Sequence, residues 1–579
     1  MVSECFQTFF HSVFNPPLPT HLVPVSSPAL FSEFPQISPS DVLSVIRSLP
    51  RGKAPGSDSL RNELFLGCAD AFSQLLSRFF NLCLRECRFP LEWKSVIVNP
   101  IFKSGDRTGS SNYRPITLSS FVLKILERLL YRPLLEFLDS RKVIPHSQFG
   151  FRPNRSVQDQ LVLSLDFISK GLNSRENVVG VFFDFQKAFD KIPTSLLLRK
   201  LENVGVSGSA LRFFEFYLCD RTQRVKVGES LSTSREVTSG VPQGSVLGPL
   251  LFLVFVSDIP SLFTSETLAL QFADDLKLLR VMNSEHDREM LESDIRSVLR
   301  WSERNHMPLN LKKCKIVEFG NSQSDALQIV SSPEFAFFQV VDEERDLGVV
   351  FDSKLKFKSH IKSIITKANF VLHRVSTTFR NFNHQRFAIL YQSLVRPLLE
   401  FCSPVWSPSF KTLSNSIEKI QKRATKLVPG LRNLSYSERL RSLRLDTLEF
   451  RRKRESLIHL YKINRNPLLC NSLLSFRPRT GTRGHAYVLM NERCHAPSRR
   501  NFLTNRVRSV WNDLPPGSVN SPTLNQFKNS LRCLPGSWRC ALQGGRGVRG
   551  EGLPAAVGGC PRDVGSHYRP LAYTDPPPY

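Results

Sequence analysis

The chain has 579 residues and a formal net charge of +27, the difference between 78 basic and 51 acidic residues. A hydrophobic content of 41%, including 44 phenylalanines, excludes an intrinsically disordered chain, and the length suits about three or four domains. The charge excess indicates a polyanionic partner, nucleic acid first and a membrane surface second, and the alternative is a basic enzyme that binds neither.

Cysteine usage and apolar runs indicate an intracellular protein. The 12 cysteines are scattered without a Cys-x-x-Cys pair, so free thiols in a reducing compartment are favoured over a structural zinc site. The N-terminus lacks a charged segment followed by an apolar core, the pattern of a signal peptide. The longest apolar run, residues 249–256, is too short to span a bilayer, and we expect no membrane partner.

The start of the chain predicts a linker at 1–37 followed by a helical extension at 38–93. The linker is rich in Phe, Pro and Ser and shows no clear period. Ser38-Pro-Ser-Asp41 has the pattern of a helix start, with a capping serine and a proline at the first helical position. The basic, glycine-containing loop 51–58 carries Lys53, and either a nucleic-acid contact or a plain solvated loop is consistent with its composition.

Further along, a Val- and Phe-rich run at 177–183 predicts a buried strand that ends at Asp184. Gly240-Val-Pro-Gln-Gly244 then places two glycines where the backbone could approach a substrate closely, although a glycine loop alone is weak evidence. The next aspartate after the strand, Asp190, suggests no chemistry and is interpreted as structural.

The strongest chemical signal lies at residues 268–279, where two short apolar runs flank Asp274 and Asp275. This pattern predicts a β-hairpin with both carboxylates at its turn. Taken alone, Asp-Asp is more often an ordinary turn. Two carboxylates this close repel unless a cation lies between them, and Mg²⁺ prefers such oxygen ligands. Together with Asp184, 90 residues upstream, they could form a two-metal site for in-line phosphoryl transfer.

Helices are predicted over residues 285–304 and through most of 360–430. In residues 417–427 the apolar and basic periods separate. We expect one face to be apolar and the opposite face to be basic, the apolar one being formed by Ile417, Ile420, Ala424 and Leu427. The basic face consists of Lys419, Lys422, Arg423 and Lys426. It suits a nucleic-acid duplex lying along the helix, and a solvated helix face is the alternative.

These motifs, in this order, resemble the reverse transcriptases of non-LTR (LINE-type) retrotransposons, most closely the jockey-like group. Phe183–Asp190 resembles motif A of that family, Gly240–Pro249 resembles motif B, and Phe272–Asp275 resembles motif C. The similarity covers roughly residues 35–530. Ten residues that match motif B between motifs A and C make the resemblance specific.

The resemblance implies an α+β fold of the right-hand polymerase type, with fingers, an antiparallel palm and a helical thumb. We place the fingers and palm at 94–340 and the primer grip and thumb at 341–440. A helical C-terminal region follows at 441–534, and Gly-, Pro- and Arg-rich residues 535–579 predict a disordered tail.

The resemblance also implies residue roles. Asp184, Asp274 and Asp275 would be catalytic and hold two Mg²⁺ ions, the backbone carbonyl of Phe185 would add a metal ligand, and Lys313 would act as a general acid. The nucleotide pocket would comprise Lys103, Arg114, Phe185, Phe189, Gln243 and Gly244. Lys103 and Arg114 would grip the triphosphate, with surface charge as their alternative, and Phe189 would exclude the ribose 2′-hydroxyl. Lys53, Arg152 and Arg155 would contact template or primer, like the basic helix face.

The function implied is RNA-templated synthesis of DNA from dNTPs in the nucleus, by target-primed reverse transcription of the element's own RNA. The chain begins too late to contain the family's usual endonuclease, so we expect the target nick to come from elsewhere. One alternative is a catalytically inactive, truncated remnant that binds nucleic acid. The other is a group II intron maturase, which the similarity of residues 501–515 to LINE-type proteins disfavours. The oligomeric state is open.

Overall fold

The computed structural model describes residues 2–14, 30–321, 324–379, 383–478 and 485–532, and every structural statement below refers to these residues. The predicted disordered tail at 535–579 lies outside them.

The helices and strands form three consecutive groups along the chain. The first group is α1 (Val2–Phe14), α2 (Pro39–Arg47), α3 (Asn62–Gly67), α4 (Ala69–Glu86), β1 (Ser95–Phe102), β2 (Tyr113–Leu118), α5 (Phe121–Ser140) and α6 (Val157–Asn173). The second is β3 (Asn177–Phe183), α7 (Thr194–Asn203), α8 (Gly208–Leu218), β4 (Arg221–Val227), β5 (Ser230–Leu231), β6 (Arg235–Val237), α9 (Gly248–Phe255), β7 (Leu268–Phe272), β8 (Asp275–Met282), α10 (Glu285–Arg304), β9 (Lys315–Phe319), α11 (Ser324–Ser331) and β10 (Gln339–Val340).

The third group begins with a short hairpin and is otherwise helical. It is β11 (Glu343–Asp346), β12 (Val349–Asp352), α12 (Lys358–Thr378), α13 (His384–Leu390), α14 (Arg396–Glu400), α15 (Ser403–Trp406), α16 (Lys411–Lys426), α17 (Tyr436–Ser442), α18 (Leu448–Asn464), α19 (Pro467–Leu473), α20 (Pro497–Arg500), α21 (Leu503–Asn512), α22 (Pro516–Val519) and α23 (Leu524–Ser530). Short 3₁₀ turns occur at Leu91–Lys94, Ser110–Asn112 and Ile259–Leu262, and Tyr391–Val395 forms a π-helical turn.

The central sheet has the strand order β10-β9-β3-β8-β7. Its middle strand β3 is antiparallel to both β8 and β9, and β7 and β8 form an antiparallel hairpin. In a second sheet, β1 lies between β2 and β4. The α+β architecture with an antiparallel palm, predicted from the sequence, is confirmed.

Local sequence explains several helix starts. Ser38 caps α2 as predicted, and the structure adds a capping box in which Ser38 and Asp41 each accept a backbone N–H of the other. Ser284 caps α10 by accepting from the N–H of Asp287, and α10 spans the predicted residues 285–304.

The predicted linker at 1–37 contains a helix. α1 buries Phe6, Phe10 and Phe14 against the apolar residues Val96, Val98 and Val225 of the second sheet. These phenylalanines recur every four residues, which puts them on one face of a helix. Because this short segment contains additional phenylalanines, the four-residue period is not apparent from the sequence.

One apolar core joins the palm sheet to the thumb and the C-terminal region. It runs from α6 and one face of the sheet through α12, α16 and α18 to Trp511 of α21. The Arg499 guanidinium crosses the same junction, donating to Asp166 of α6 at 2.7 Å and to Glu492 at 2.6 Å. The predicted boundary near residue 440 is therefore not a break in packing. Within the described ranges, no helix combines the length and apolarity needed to cross a membrane.

Candidate active site

The three aspartates lie at adjoining strand ends of the palm. β3 pairs with β8 so that Phe183 faces Leu276, which brings the next residue, Asp184, beside Asp275. The β7–β8 hairpin closes with Phe272 opposite Asp275, leaving Asp274 in the turn. Asp184 and Asp275 line one cavity of about 340 Å³. The predicted hairpin is confirmed, with Asp275 as the first residue of β8 rather than a turn residue.

The pKa values of Asp274 and Asp275 are raised at this site. Burial raises the pKa of Asp274, and the charge of Asp184 adds to the effect. Asp275 keeps contact with solvent, yet its pKa is raised to about 7. The largest cause is the protein packed around its carboxyl group, and the negative charges of Asp274, Asp346 and Asp184 add to it. Such crowded acids are the environment that a bound cation relieves.

The donor chemistry of the site fits a divalent cation. Carboxylate oxygens are the ligands that hard cations prefer. The three side chains are not grouped as a ready-made ligand set, since no cluster of three acidic, His or Cys side chains suited to a metal occurs in the described ranges. Asp184 is instead paired with Lys313, whose Nζ lies 3.2 Å from Oδ2. Lys313 and a cation would therefore compete for the same carboxylate.

Lys103, which follows β1, and Arg114, on β2, interact electrostatically with the aspartates. Burial lowers the pKa of Lys103, as do the charges of Lys313 and Arg114, whereas Asp184 and Asp274 raise it. Arg114, on β2, is exposed and lowers the pKa of Asp274. The structure thus brings both predicted triphosphate contacts to the acidic strand ends.

A side chain not assigned a role from the sequence, Gln148, holds the hairpin turn. Its Oε1 accepts from the N–H groups of Ala273 (2.9 Å) and Gly150 (2.8 Å), and its Nε2 donates to the Ala273 carbonyl (3.3 Å). Ala273 has a φ of +55°, which is unfavourable for a residue with a Cβ. These bonds offset that cost and fix the backbone just before Asp274. A single glutamine carries no periodic signal, so the sequence did not reveal it.

The motif B loop is joined to the end of motif A. Gln243 donates from Nε2 to Oδ1 of Asp190 at 2.6 Å. Burial raises the pKa of Asp190 to about 7, against the opposing effect of the Gln243 hydrogen bond. Gly244 has a φ of +108°, and a Cβ there would lie 2.7 Å from the Thr117 carbonyl oxygen. The structure therefore explains this glycine by the close approach of β2, whereas its place in the nucleotide pocket stays a prediction.

Two phenylalanines of motif A are fixed by other rings. Phe189 stacks on Phe252 with ring centroids 4.2 Å apart and meets Phe151 edge-on at 5.7 Å. Phe185 packs edge-on against Trp301, and the backbone beside it is held by a bond from Asn310 N–H to the Asp184 carbonyl (2.7 Å). Their predicted roles, as sugar gate and as backbone metal ligand, stay predictions.

The hairpin β11–β12 is tied to the strand that carries Asp275. Lys277 of β8 and Asp346 of β11 form a buried ion pair, with both side chains under 9% exposed. Burial lowers the pKa of Lys277, and Asp346 opposes this by raising it. Lys277 lies within an apolar strand, and no pattern in the sequence indicates that its partner is 69 residues away.

Comparison with known proteins agrees with this geometry. A family model described as reverse transcriptase (RNA-dependent DNA polymerase) matches residues 101–351. The RNA-directed DNA polymerase from the mobile element jockey of Drosophila melanogaster is 30% identical over 401 residues, covering 67% of this chain and 43% of that protein. The probable RNA-directed DNA polymerase from transposon BS of the same organism is 28% identical over 455 residues, covering 76% and 50%.

The chain belongs to the reverse transcriptases of non-LTR retrotransposons. It spans half or less of the length of these two relatives. An apo telomerase from Candida tropicalis is 13% identical, with a TM-score of 0.32, and the match covers 45% of this chain and 54% of that one. Reverse transcriptases generally use divalent cations, which agrees with the acidic donor set of the site.

The predicted template contacts of the reverse transcriptase differ in what their side chains do. Lys53 is exposed on its loop. Arg152 donates to the Ile144 and Pro145 carbonyls and to Asp139, so its guanidinium is largely engaged within the protein. Arg155 lies over the Phe149 ring at 4.9 Å. Of the two arginines, Arg155 is the better placed to reach a phosphate.

The predicted division of α16 into two faces is confirmed. Ile417, Ile420 and Ala424 are buried, and the four cations of the basic face are exposed: Lys419, Lys422, Arg423 and Lys426. Leu427, expected on the apolar face, is 37% exposed because the helix ends at Lys426. Glu418 anchors the helix by accepting from the Leu448 N–H at 3.0 Å, which fixes the direction in which the basic face points.

Proposed function

We propose that this chain is an RNA-directed DNA polymerase that extends a DNA primer on an RNA template from dNTPs, using two Mg²⁺ ions. The observation that carries the proposal is the cavity shared by Asp184 and Asp275, with Lys103 and Arg114 facing the same strand ends. Nucleotidyl transfer requires acidic groups that hold cations and, opposite them, basic groups that hold phosphates.

Asp184, Asp274 and Asp275, with the Phe185 carbonyl, would hold the ions. When bound, the ions would lower the pKa of the primer 3′-hydroxyl and neutralise the charge that develops on the phosphates. Lys313, paired with Asp184 at 3.2 Å, would supply a proton to the departing pyrophosphate as a general acid.

Five further residues would shape the nucleotide pocket. Arg114 would grip the triphosphate through its guanidinium, and Lys103 would act as a point charge beside it. Phe189, fixed between Phe151 and Phe252, would exclude a 2′-hydroxyl by its bulk. Gln243 and Gly244 would complete the pocket from the motif B loop.

The template–primer duplex would extend from this pocket toward the thumb. Lys53, Arg152 and Arg155 would contact the template, and Lys419, Lys422, Arg423 and Lys426 would neutralise duplex phosphates. By family, the reaction would be target-primed reverse transcription of the element's own RNA in the nucleus. A fluorescent fusion of the chain should accumulate in nuclei, and an exclusively cytoplasmic signal would contradict that location.

Primer extension tests the proposal. The purified chain, given Mg²⁺, dNTPs and a DNA primer on an RNA template, should lengthen the primer. Asp274→Asn and Asp275→Asn should each reduce extension by more than about a thousandfold while template–primer binding persists, because each removes a charged ligand.

Asp294→Asn is the matched control. Asp294 is also a buried palm carboxylate, accepting from Thr267 Oγ1 at 2.6 Å, but it lies outside the proposed site. This variant should extend primers at the wild-type rate. A folded wild-type protein that binds the duplex without extending it would favour the alternative of an inactive nucleic-acid-binding remnant.

A further inference from the structure

The acidic and basic groups of the proposed site are carried by different sheets. Asp184 directly follows β3 of the central sheet, whereas Arg114 lies on β2 of the second sheet. A dNTP whose phosphates reach Arg114 and whose metal ions reach Asp184 requires these two groups at a fixed distance. Because β2 and β3 belong to separate sheets in the described part of the chain, strand pairing does not set that distance. Other contacts must set it.

The N-terminal helix α1 is attached to the second sheet close to Arg114. The ring of Phe6 meets the ring of Tyr113 edge-on, with centroids 4.8 Å apart, and Tyr113 directly precedes Arg114 on β2. On the same helix, Gln7 is fully buried, and its Nε2 donates to the Gln223 carbonyl of β4 at 3.2 Å. Together with the buried phenylalanines of α1, these contacts fix the helix to the sheet that carries Arg114.

The same helix also reaches the motif A turn, residues 184–190. The Nζ of Lys187 lies 3.9 Å from the centroid of the Phe9 ring, where an ammonium group is attracted by the negative face of the ring. Lys187 has a φ of +49°, and its carbonyl accepts from the Asp190 N–H at 2.9 Å, so the turn is tight. Lys187 follows Asp184 by three residues, and a displacement of its side chain would be transmitted along this turn to Asp184.

Phe6 and Phe9 are three residues apart, which makes them neighbours on the surface of one rigid helix. We propose that Phe9 is a positioning residue: its ring holds Lys187, and with it the turn that begins at Asp184, against the helix that Phe6 fixes to β2. α1 thereby sets the distance between Asp184 and Arg114. Phe9 acts through Lys187 and not by touching the substrate. The inference rests on the proposed polymerase function.

Single-nucleotide incorporation by the full chain tests this role. Phe9→Ala should raise KM for dNTPs about fivefold, the scale of one cation–π contact, because the triphosphate and its metal ions must reach both groups in order to bind. The change in kcat should be smaller. The affinity for template–primer should stay at the wild-type value, since the duplex is proposed to lie along α16 and not along α1.

Conservative variants separate the ring contact from simple packing. Phe9→Tyr keeps an aromatic face and should keep the wild-type KM. Phe9→Leu keeps an apolar side chain but has no aromatic face, so its KM should rise as in Phe9→Ala. Thr8→Ala, at the adjacent exposed position of α1, is the control and should match the wild type.

Double variants test the route from α1 to the site. Phe9→Ala/Lys187→Met should be no worse than Lys187→Met alone, because both changes remove the same contact. Phe9→Ala/Arg114→Ala should be no worse than Arg114→Ala alone, because the distance to Arg114 no longer matters once its guanidinium is gone.

Two results would overturn the role: a wild-type KM in Phe9→Leu, or additive losses in either double variant. If Phe9→Ala does not fold, as judged by its melting curve, Phe9→Leu replaces it in every comparison. A wild-type chain that extends primers, with an unchanged KM in Phe9→Ala, refutes this inference alone. A wild-type chain that extends nothing refutes the proposed function and this inference with it.

Discussion

The acidic strand ends of the palm and the basic face of α16 are built in opposite ways. Asp184 and Asp275 are 91 positions apart and meet only because β3 pairs with β8. The four cations of α16 lie within eight residues and share a face because of helical spacing alone. The first site depends on distant partners, whereas the second depends on its own helix.

This difference predicts different responses to mutation. The palm site relies on groups such as Gln148 and Asp190 that are buried and paired, so each loss should disturb geometry and have a large effect. The α16 face consists of exposed charges whose contributions are similar and separable, so each loss should be small.

Removing the Gln148 side chain is the strongest test of whether the palm site depends on buried, paired groups. Gln148→Ala deletes two hydrogen bonds to Ala273 and one to Gly150, and it frees a backbone held at positive φ. We expect the extension rate to fall about a hundredfold, since small displacements at a reacting centre cost that much. Single-turnover extension measures it. Gln158→Ala, ten residues along on α6, is the control, and an undiminished rate in Gln148→Ala would refute the assigned role.

Neutralising the α16 face one residue at a time tests whether its cations contribute to binding as separate charges. Each of Lys419→Ala, Lys422→Ala and Lys426→Ala should weaken template–primer binding about threefold and reduce the slope of log affinity against log salt by about one. Binding titrations at several salt concentrations measure both. Arg304→Ala removes an exposed cation from the palm helix α10 and should leave the slope unchanged. A single variant that abolishes binding would show that the face does not act as separate charges.

A smaller effect should appear in the acid sensitivity of the thumb. His360 of α12 is buried against Trp406, and its Nδ1 accepts from the Val350 N–H at 3.3 Å. Burial, followed by the charges of Arg345 and Lys367, lowers its pKa to about 4. The unfolded chain protonates this histidine below about pH 6.5 while the folded chain does not, so folding stability falls as the pH drops from there toward 4.

The expected size is at most about 1.4 kcal/mol per pH unit for one proton. Urea unfolding at several pH values should show a shallower acid loss for His360→Gln, whose amide oxygen can still accept from Val350. His495→Gln, at an exposed position, should match the wild type. An identical slope for wild type and His360→Gln would exclude this histidine as the source.

The same contrast explains what the sequence could predict. The limits of α10, the β7–β8 hairpin and the two faces of α16 follow from spacing and caps within short segments, and all three are confirmed. The pairing partners of buried polar groups are not encoded locally. Lys277 and Asp346 are 69 residues apart, and no period connects them.

The roles of the candidate residues could be predicted only where the signal lies within a short segment. The acids, Lys103 and Arg114 came from motifs, and the fold brings them to one place. Arg152 came from a motif as well, but its nearby acceptors Asp139, Ile144 and Pro145 engage it within the protein. Asp190 was interpreted as structural because its partner, Gln243, becomes a neighbour only after folding.

The bond between Arg499 and Asp166 has a practical consequence for anyone shortening this protein. Ending the chain before residue 485 would expose the apolar faces of α6 and α18 and leave Asp166 without its guanidinium partner. Residues 485–532 therefore stabilise the palm by packing against it, and a minimal active fragment should retain them.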